Sequence, residues 1–281
     1  PTIGWMEDLE TMNLDDARDF YRRYYAPNQL VLTITGDLSE DAVLSAIGRH
    51  FGSVPSQKVE PPVLREEPPL QGERRATMEL PLSAERALLG YRVPAIQHED
   101  MPALDILSGI LFNSDSARAE VRLVHEEEVA LEVSSWVGSF KAPSLWQVTL
   151  VCQRGRKIAD ALSSLERVFQ EVRDEGVSVQ EVLKARNKLR LGLVRGMLSA
   201  HNRGYQLGFY EVTAGDYRKL FEYIDAIDAV TVEDVQRVAS RDLGELRGEL
   251  AFHARMDEAG ARARLAGVDE AQARAPGGRP P

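Results

Sequence analysis

The hydrophobic pattern changes period several times along the chain. Asn13-Leu14-Asp15-Asp16 predicts a helix start, with Asn13 as cap and Asp16 at the capping-box position. That helix runs through Phe20, Tyr21, Tyr24 and Tyr25 and ends at Ala26-Pro27-Asn28. Residues Gln29 to Thr35, rich in apolar and β-branched side chains and closed by Gly36-Asp37, predict a strand. Ser39 then caps a helix reaching about Phe51. In residues 58–75, which hold four prolines, neither period survives, so a semi-rigid linker is expected.

A second block follows. Strands are predicted at 76–82, 86–94, 129–139 and 144–153, a buried apolar helix at 101–113 and an amphipathic helix at 116–128. From residue 156 the pattern is helical. One helix covers 156–175 and stops at Gly176, and Ser178 with Glu181 forms a capping box for the next, which extends to about Ala200. Three more helices are expected at 201–212, 217–228 and 231–243, then a strand at 246–255. The Ala-, Arg-, Gly- and Pro-rich tail 258–281 is expected to be disordered. This order gives the fold class α+β.

The pattern also repeats. A shift of 218 residues lays "LETMNLDDARDFYRRYY" (9–25) on "IDAVTVEDVQRVASRDL" (227–243). Leu9 meets Ile227, Met12 meets Val230, Asn13 meets Thr231, Asp16 meets Asp234 and Ala17 meets Val235. Two readings stand. Any two capped amphipathic helices look alike, or a unit is duplicated. On the second reading, 1–57 is the end of a first copy and 76–257 a whole second copy. The opening Pro1 fits a first copy whose beginning is missing.

Length and composition narrow the function. A chain of 281 residues suits about two domains, and 43% hydrophobic with 28% charged residues is an ordinary globular balance. A net charge of −10 argues against nucleic acid as a partner, and no apolar run approaches the ~18 residues of a membrane span. Cys152 stands alone, which rules out an internal disulfide.

Several motif points recur in order in the N-terminal stretch: Gly4-Trp5 with Asp8-Leu9, Phe20-Tyr21, Tyr25 with Pro27-Asn28, Gly36-Asp37, and Phe51-Gly52 with Pro55. In this, the chain resembles the insulinase/pitrilysin-type (M16) zinc metallopeptidases, at the end of their zinc-bearing half. Gln29 departs from the family's second Asn. "HEDMPALDILSGILFNSDSARAEVRLVHEEEVALEVSSW" is similar, more diffusely, to the start of their second half. The resemblance covers about 1–257 and implies two homologous α+β halves closing like a clam shell around a chamber, the first half truncated here. It implies zinc held by His-x-x-Glu-His, two histidines on one helix face with a glutamate that activates water.

None of His50, His98, His125, His201 and His253 pairs in that pattern. His125 and Glu128 lie one turn apart, but no second histidine follows, and a solvated face is expected there. No zinc ligand is therefore expected in this chain. If the cofactor is present, its ligands lie upstream of Pro1.

In "HNRGYQLGFYEV" (201–212), Arg203 and Tyr210 match a family pair of substrate-binding residues seven apart. Arg would hold peptide carbonyls and Tyr would help hold substrate and the developing oxyanion. Seven residues make nearly two helical turns, so both leave one face. Gly204 and Gly208 between them remove side chains and so leave room for another backbone to approach closely, and Tyr205 and Phe209 are read as a competing aromatic and a core residue. Lys184, Arg186, Lys188, Arg190 and Arg195 read as a solvated face or, alternatively, as a chamber lining for acidic peptides. Trp136 and Trp146 are expected to pack.

The implied function is the C-terminal portion of a zinc metalloendopeptidase, this portion binding the peptide substrate. The alternative is a non-catalytic partner or core subunit. Pairing with another subunit of this type, as homo- or hetero-dimer, is compatible with either. A soluble protein is expected, with periplasm and cytoplasm both open.

Overall fold

The computed structural model describes residues 5–58, 72–77 and 82–243. They fall into two compact units, one drawn from 1–68 and 196–220, the other from 69–195 and 221–281. The α+β class holds, and helices predominate. The expected strand 246–255, the tail, most of the linker and residues 78–81 lie outside the described residues.

The second unit is built on an antiparallel sheet of β1 (Arg86–Val93), β2 (Ala130–Val137) and β3 (Ser144–Cys152), in the order β1-β3-β2. Tyr91 and Val137 both register on Trp146 of the central strand. Strand alternation sends Trp146, Val148, Leu150 and Cys152 to one face, where all are buried. There Trp146, Tyr91, Phe112 and Phe169 form a ring cluster with centroids 5.9–6.1 Å apart.

Phe169 belongs to α5 (Ile158–Glu175), whose Ile158, Ala161, Leu165, Val168, Phe169 and Val172 make one apolar stripe. Helix α4 (Met101–Leu111) is buried nearly all round, as its apolar sequence requires. Its first turn is clamped to α9 (Val232–Asp242): the buried Asp100 carboxylate lies 2.6 Å from Arg237 and 2.6 Å from Arg241. Desolvation works to raise the Asp100 pKa, and the two guanidinium groups bring it below the usual value.

Gly176, at φ +81°, stops α5 in a backbone region that side chains rarely adopt. Two residues later the expected capping box opens α6 (Val179–Gly196). The Ser178 amide donates to Glu181 at 2.8 Å and the Glu181 amide to the Ser178 hydroxyl at 3.3 Å. Arg118 grips the same Glu181 carboxylate through two bonds, at 2.7 and 2.9 Å.

In the first unit, α2 (Leu14–Tyr24) and α3 (Glu40–Phe51) form as the caps predict, with a complete Asn13–Asp16 capping box on α2, and a short α1 (Met6–Thr11), which no cap announced, precedes them. A 3-10 turn covers Pro27–Gln29. Among the described residues 5–58, Ala26 is the only buried hydrophobic. The aromatics of α2 pack on one another instead, with Tyr21 stacked on Tyr25 at 5.0 Å.

Three expectations are corrected. Residues 30–35 form no strand, because a β-conformation is held by ladder partners and none is present among the described residues. The helix at 116–128 is instead a π-helix over Glu120–Glu126, with a wide-turn bond from the Glu127 amide to the Arg122 carbonyl. Trp136 is 51% exposed on the outer face of β2, edge-on to Phe140 at 5.7 Å. Alternation puts its neighbour Val137 inside and leaves Trp136 outside.

Candidate functional site

Helix α7 (Ala200–Ala214) carries both candidate residues. Ser199 caps it by accepting from the Asn202 amide at 3.1 Å, and Gly215 ends it in the left-handed region at φ +74°. Arg203 is exposed. Its Nε donates to the Met197 carbonyl at 3.2 Å, and neither Nη has an acceptor among the described residues. The side chain borders a pocket of ≈ 410 Å³, walled by Ile34, Leu38, Val43 and Leu44 with Glu40 alongside. Tyr210 is 6% exposed, edge-on to Phe209 at 5.7 Å. The helix thus places Arg203 in the open and Tyr210 under cover, about 10 Å further along its axis.

Gly204 and Gly208 lie on the next ridge of α7, and their space is filled by the chain's own residues 33–35. A Cβ on Gly204 would meet the Thr35 hydroxyl at 3.0 Å, and one on Gly208 the Thr33 hydroxyl at 2.8 Å. The Thr35 hydroxyl donates to the Ala200 carbonyl at 2.6 Å. Sequence reading allowed for a close backbone and missed these threonines, since 165 residues separate Thr35 from Ala200. No local period records such a contact.

The described residues do not fit zinc. No group of three His, Cys, Asp or Glu among the described residues could hold a metal ion. His125 lies 3.9 Å from Glu120, and Glu128 leaves the helix at φ +50°. His98 accepts from the Asp100 amide at 3.1 Å through its ring. His201 and His50 are exposed on separate helices, and His253 is outside the described residues.

The basic run of α6 is largely bound within the second unit. Lys184 donates to Ser116, Arg186 to the Val230 carbonyl and Lys188 to the Asn113 carbonyl, and Arg190 pairs with Asp228 at 2.7 Å. These contacts tie α6 to the turn between α4 and the π-helix and to α8 (Lys219–Ala229) with the turn after it. They favour a structural face over a peptide lining. No described helix is long and apolar enough to cross a membrane.

Comparison with known proteins agrees with the fold. The chain is 27% identical over 251 residues to an uncharacterized zinc protease of Mycobacterium leprae, which covers 88% of this chain and 56% of that protein. It is 32% identical over 136 residues to the zinc protease PqqE of Helicobacter pylori, which covers 47% of this chain and 31% of that protein. Among solved structures, a protease from Helicobacter pylori superposes with a TM-score of 0.83 at 22% identity, covering 90% of this chain and 62% of its own. A peptidase M16 inactive domain from Pseudomonas fluorescens gives 0.78 at 18% identity, covering 90% and 59%. The chain spans little more than half the length of the first curated relatives it matches. The family model described as the peptidase M16 inactive domain matches residues 11–189, so this chain belongs to the M16 peptidase family, in its portion without the zinc motif.

Proposed function

We propose that this chain is the C-terminal portion of a zinc-dependent endopeptidase of the M16 family and that its share of the task is to bind the peptide. Residues 1–57 close the zinc-bearing half, 58–75 link it onward, 76–257 form the second half, and 258–281 are a tail. The observation that carries the binding role is Arg203: a permanent cation, with neither Nη bonded among the described residues, beside a pocket that has one apolar wall and Glu40 alongside, on the helix that also holds Tyr210. A guanidinium fork supplies donors to peptide carbonyl oxygens, and the apolar wall accepts a side chain. Tyr210 is held in place by its burial, as a preorganised hydroxyl donor requires. The described residues contribute no metal ligand to this scheme; their part is to orient substrate.

The repeat supports the domain reading. Both copies carry a complete capping box, Asn13 with Asp16 and Thr231 with Asp234. Ile227 and Val230 are 0% and 6% exposed, whereas their counterparts Leu9 and Met12 are 49% and 60% exposed. The same apolar face is seated in one copy and bare in the other, which suits a first half completed by further chain.

The test is Arg203→Ala in the full-length protein. Peptide turnover should fall by at least about 10-fold, the scale of one lost charge-assisted contact, with zinc content unchanged. Unaltered kinetics would remove the assignment.

A second reading is a non-catalytic partner. It is supported by the likeness, at 22% identity over 91% of this chain, to a protein of Lentinula edodes named mitochondrial-processing peptidase subunit beta, a name that implies work alongside another subunit. The reading frame ahead of Pro1 separates the two: His-x-x-Glu-His there supports the enzyme, and a start without it supports the partner.

A further inference from the structure

Ala200, Gly204 and Gly208 are four residues apart and form one ridge of α7, about 100° around the axis from the Arg203–Tyr210 face. Thr33 and Thr35 sit in the notch that the two glycines leave. The Gly208 Cβ position is 2.8 Å from the Thr33 hydroxyl and 3.8 Å from its Cβ, and the Gly204 Cβ position is 3.0 Å from the Thr35 hydroxyl. Real Cβ atoms essentially never approach to 2.8 Å. Threonine is β-branched and stiff at χ1, so it cannot readily swing away. A polar lock completes the joint, the Thr35 hydroxyl donating to the Ala200 carbonyl at 2.6 Å.

Neither glycine is there for its backbone angles. Both lie inside a helix, where glycine weakens the structure, and neither has a positive φ. What the missing side chains permit is close seating of residues 33–35. We infer that Gly204 and Gly208 are positioning residues: they seat α7 on Thr33 and Thr35 and thereby set where Arg203 presents its guanidinium. Ile34 and Thr35 of this segment themselves line the Arg203 pocket, with Leu38 three residues beyond, so moving the segment against the ridge moves the pocket wall relative to the cation. The positioning role rests on the peptide-binding reading of Arg203, whereas the joint itself does not.

Two measurements test the inference. In this 281-residue chain, Thr33→Cys with Gly208→Cys should form a disulfide under air oxidation, because a 3.8 Å Cβ separation is the mean for disulfides. Thr33→Cys with Gly215→Cys should not, since nothing lies within 4 Å of the Gly215 Cβ position. The native Cys152 is buried and does not compete. Free thiols in the first pair would overturn the joint.

In the full-length protein, Gly208→Ala should lower peptide kcat/KM by about 10-fold with zinc content and melting temperature kept. Adding Thr33→Ala, which removes the hydroxyl that the new Cβ meets, should restore most of it. Alanine is the better helix former, so helix weakening cannot produce such a loss. Normal turnover in Gly208→Ala, with Arg203→Ala impaired, would overturn the positioning role alone. Normal turnover in Arg203→Ala would overturn the peptide-binding reading and the positioning role together, with the disulfide still reporting the joint.

Discussion

Asp105 is a carboxyl half-buried on α4, where it accepts a hydrogen bond from the Tyr223 hydroxyl. Desolvation raises its pKa, the Tyr223 bond only partly offsets this, and the value is about 6. The folded chain therefore holds this proton in a range where the unfolded chain, with a pKa of about 3.9, has lost it. Its stabilising effect is full below about pH 4 and is lost as pH rises through 6, to the extent of about 1–3 kcal/mol. Glu181 acts in the opposite sense. Desolvation works to raise its pKa, but the Arg118 side chain and Ser178 outweigh it and bring it to about 2. Its contribution is present above the ordinary glutamate pKa and is lost as pH falls toward 2. Asp105→Asn should therefore flatten the fall in stability between pH 4 and 7 and leave the acid limb untouched. Urea unfolding across that range would check it, and a parent-like slope in the variant would refute it. None of this was legible in the sequence. Asp105 interrupts an apolar stretch, but its partner on α8 is 118 residues away.

At the scale of elements, the local grammar was readable. Caps and stop residues act within four positions of the chain, so Asn13, Ser39, Ser178 and Thr231 could be assigned from their neighbours, and Gly176 ended α5 where expected. The failures came where an element depends on something distant. Residues 30–35 have strand composition but no ladder partner among the described residues, and the helix near 120 is widened to a π-helix. Its Arg118 and Arg122 pair with Glu181 and Glu171 on α6 and α5. The two equivalent caps offer a comparison. Thr231→Ala should cost about 1 kcal/mol of global stability, since α9 lies in the core. Asn13→Ala should leave the main unfolding transition in place, since α2 has no buried residue. Guanidinium melts of the two variants would show the asymmetry, and equal losses would contradict it.

At the scale of the whole molecule, the repeat sets an equivalent pair against different surroundings. Ile227→Ala should cost about 2–5 kcal/mol, the range for truncating a core aliphatic. Leu9→Ala, its counterpart in an exposed position, should stay within about 0.5 kcal/mol in this chain. Thermal melts of both variants check this, and a large loss for Leu9→Ala would mean that its face is already seated.

The sequence by itself determined the helices and their caps, the α+β class, the family and the Arg203–Tyr210 spacing, because each is written in local periods or in motif points at fixed offsets. Only the tertiary structure decided that Arg203 is open and Tyr210 covered, that four cations of α6 are bound within their own unit, and that Gly204 and Gly208 receive Thr33 and Thr35. Burial and close approach join residues far apart in the chain, and a one-dimensional pattern carries no record of which distant face will arrive.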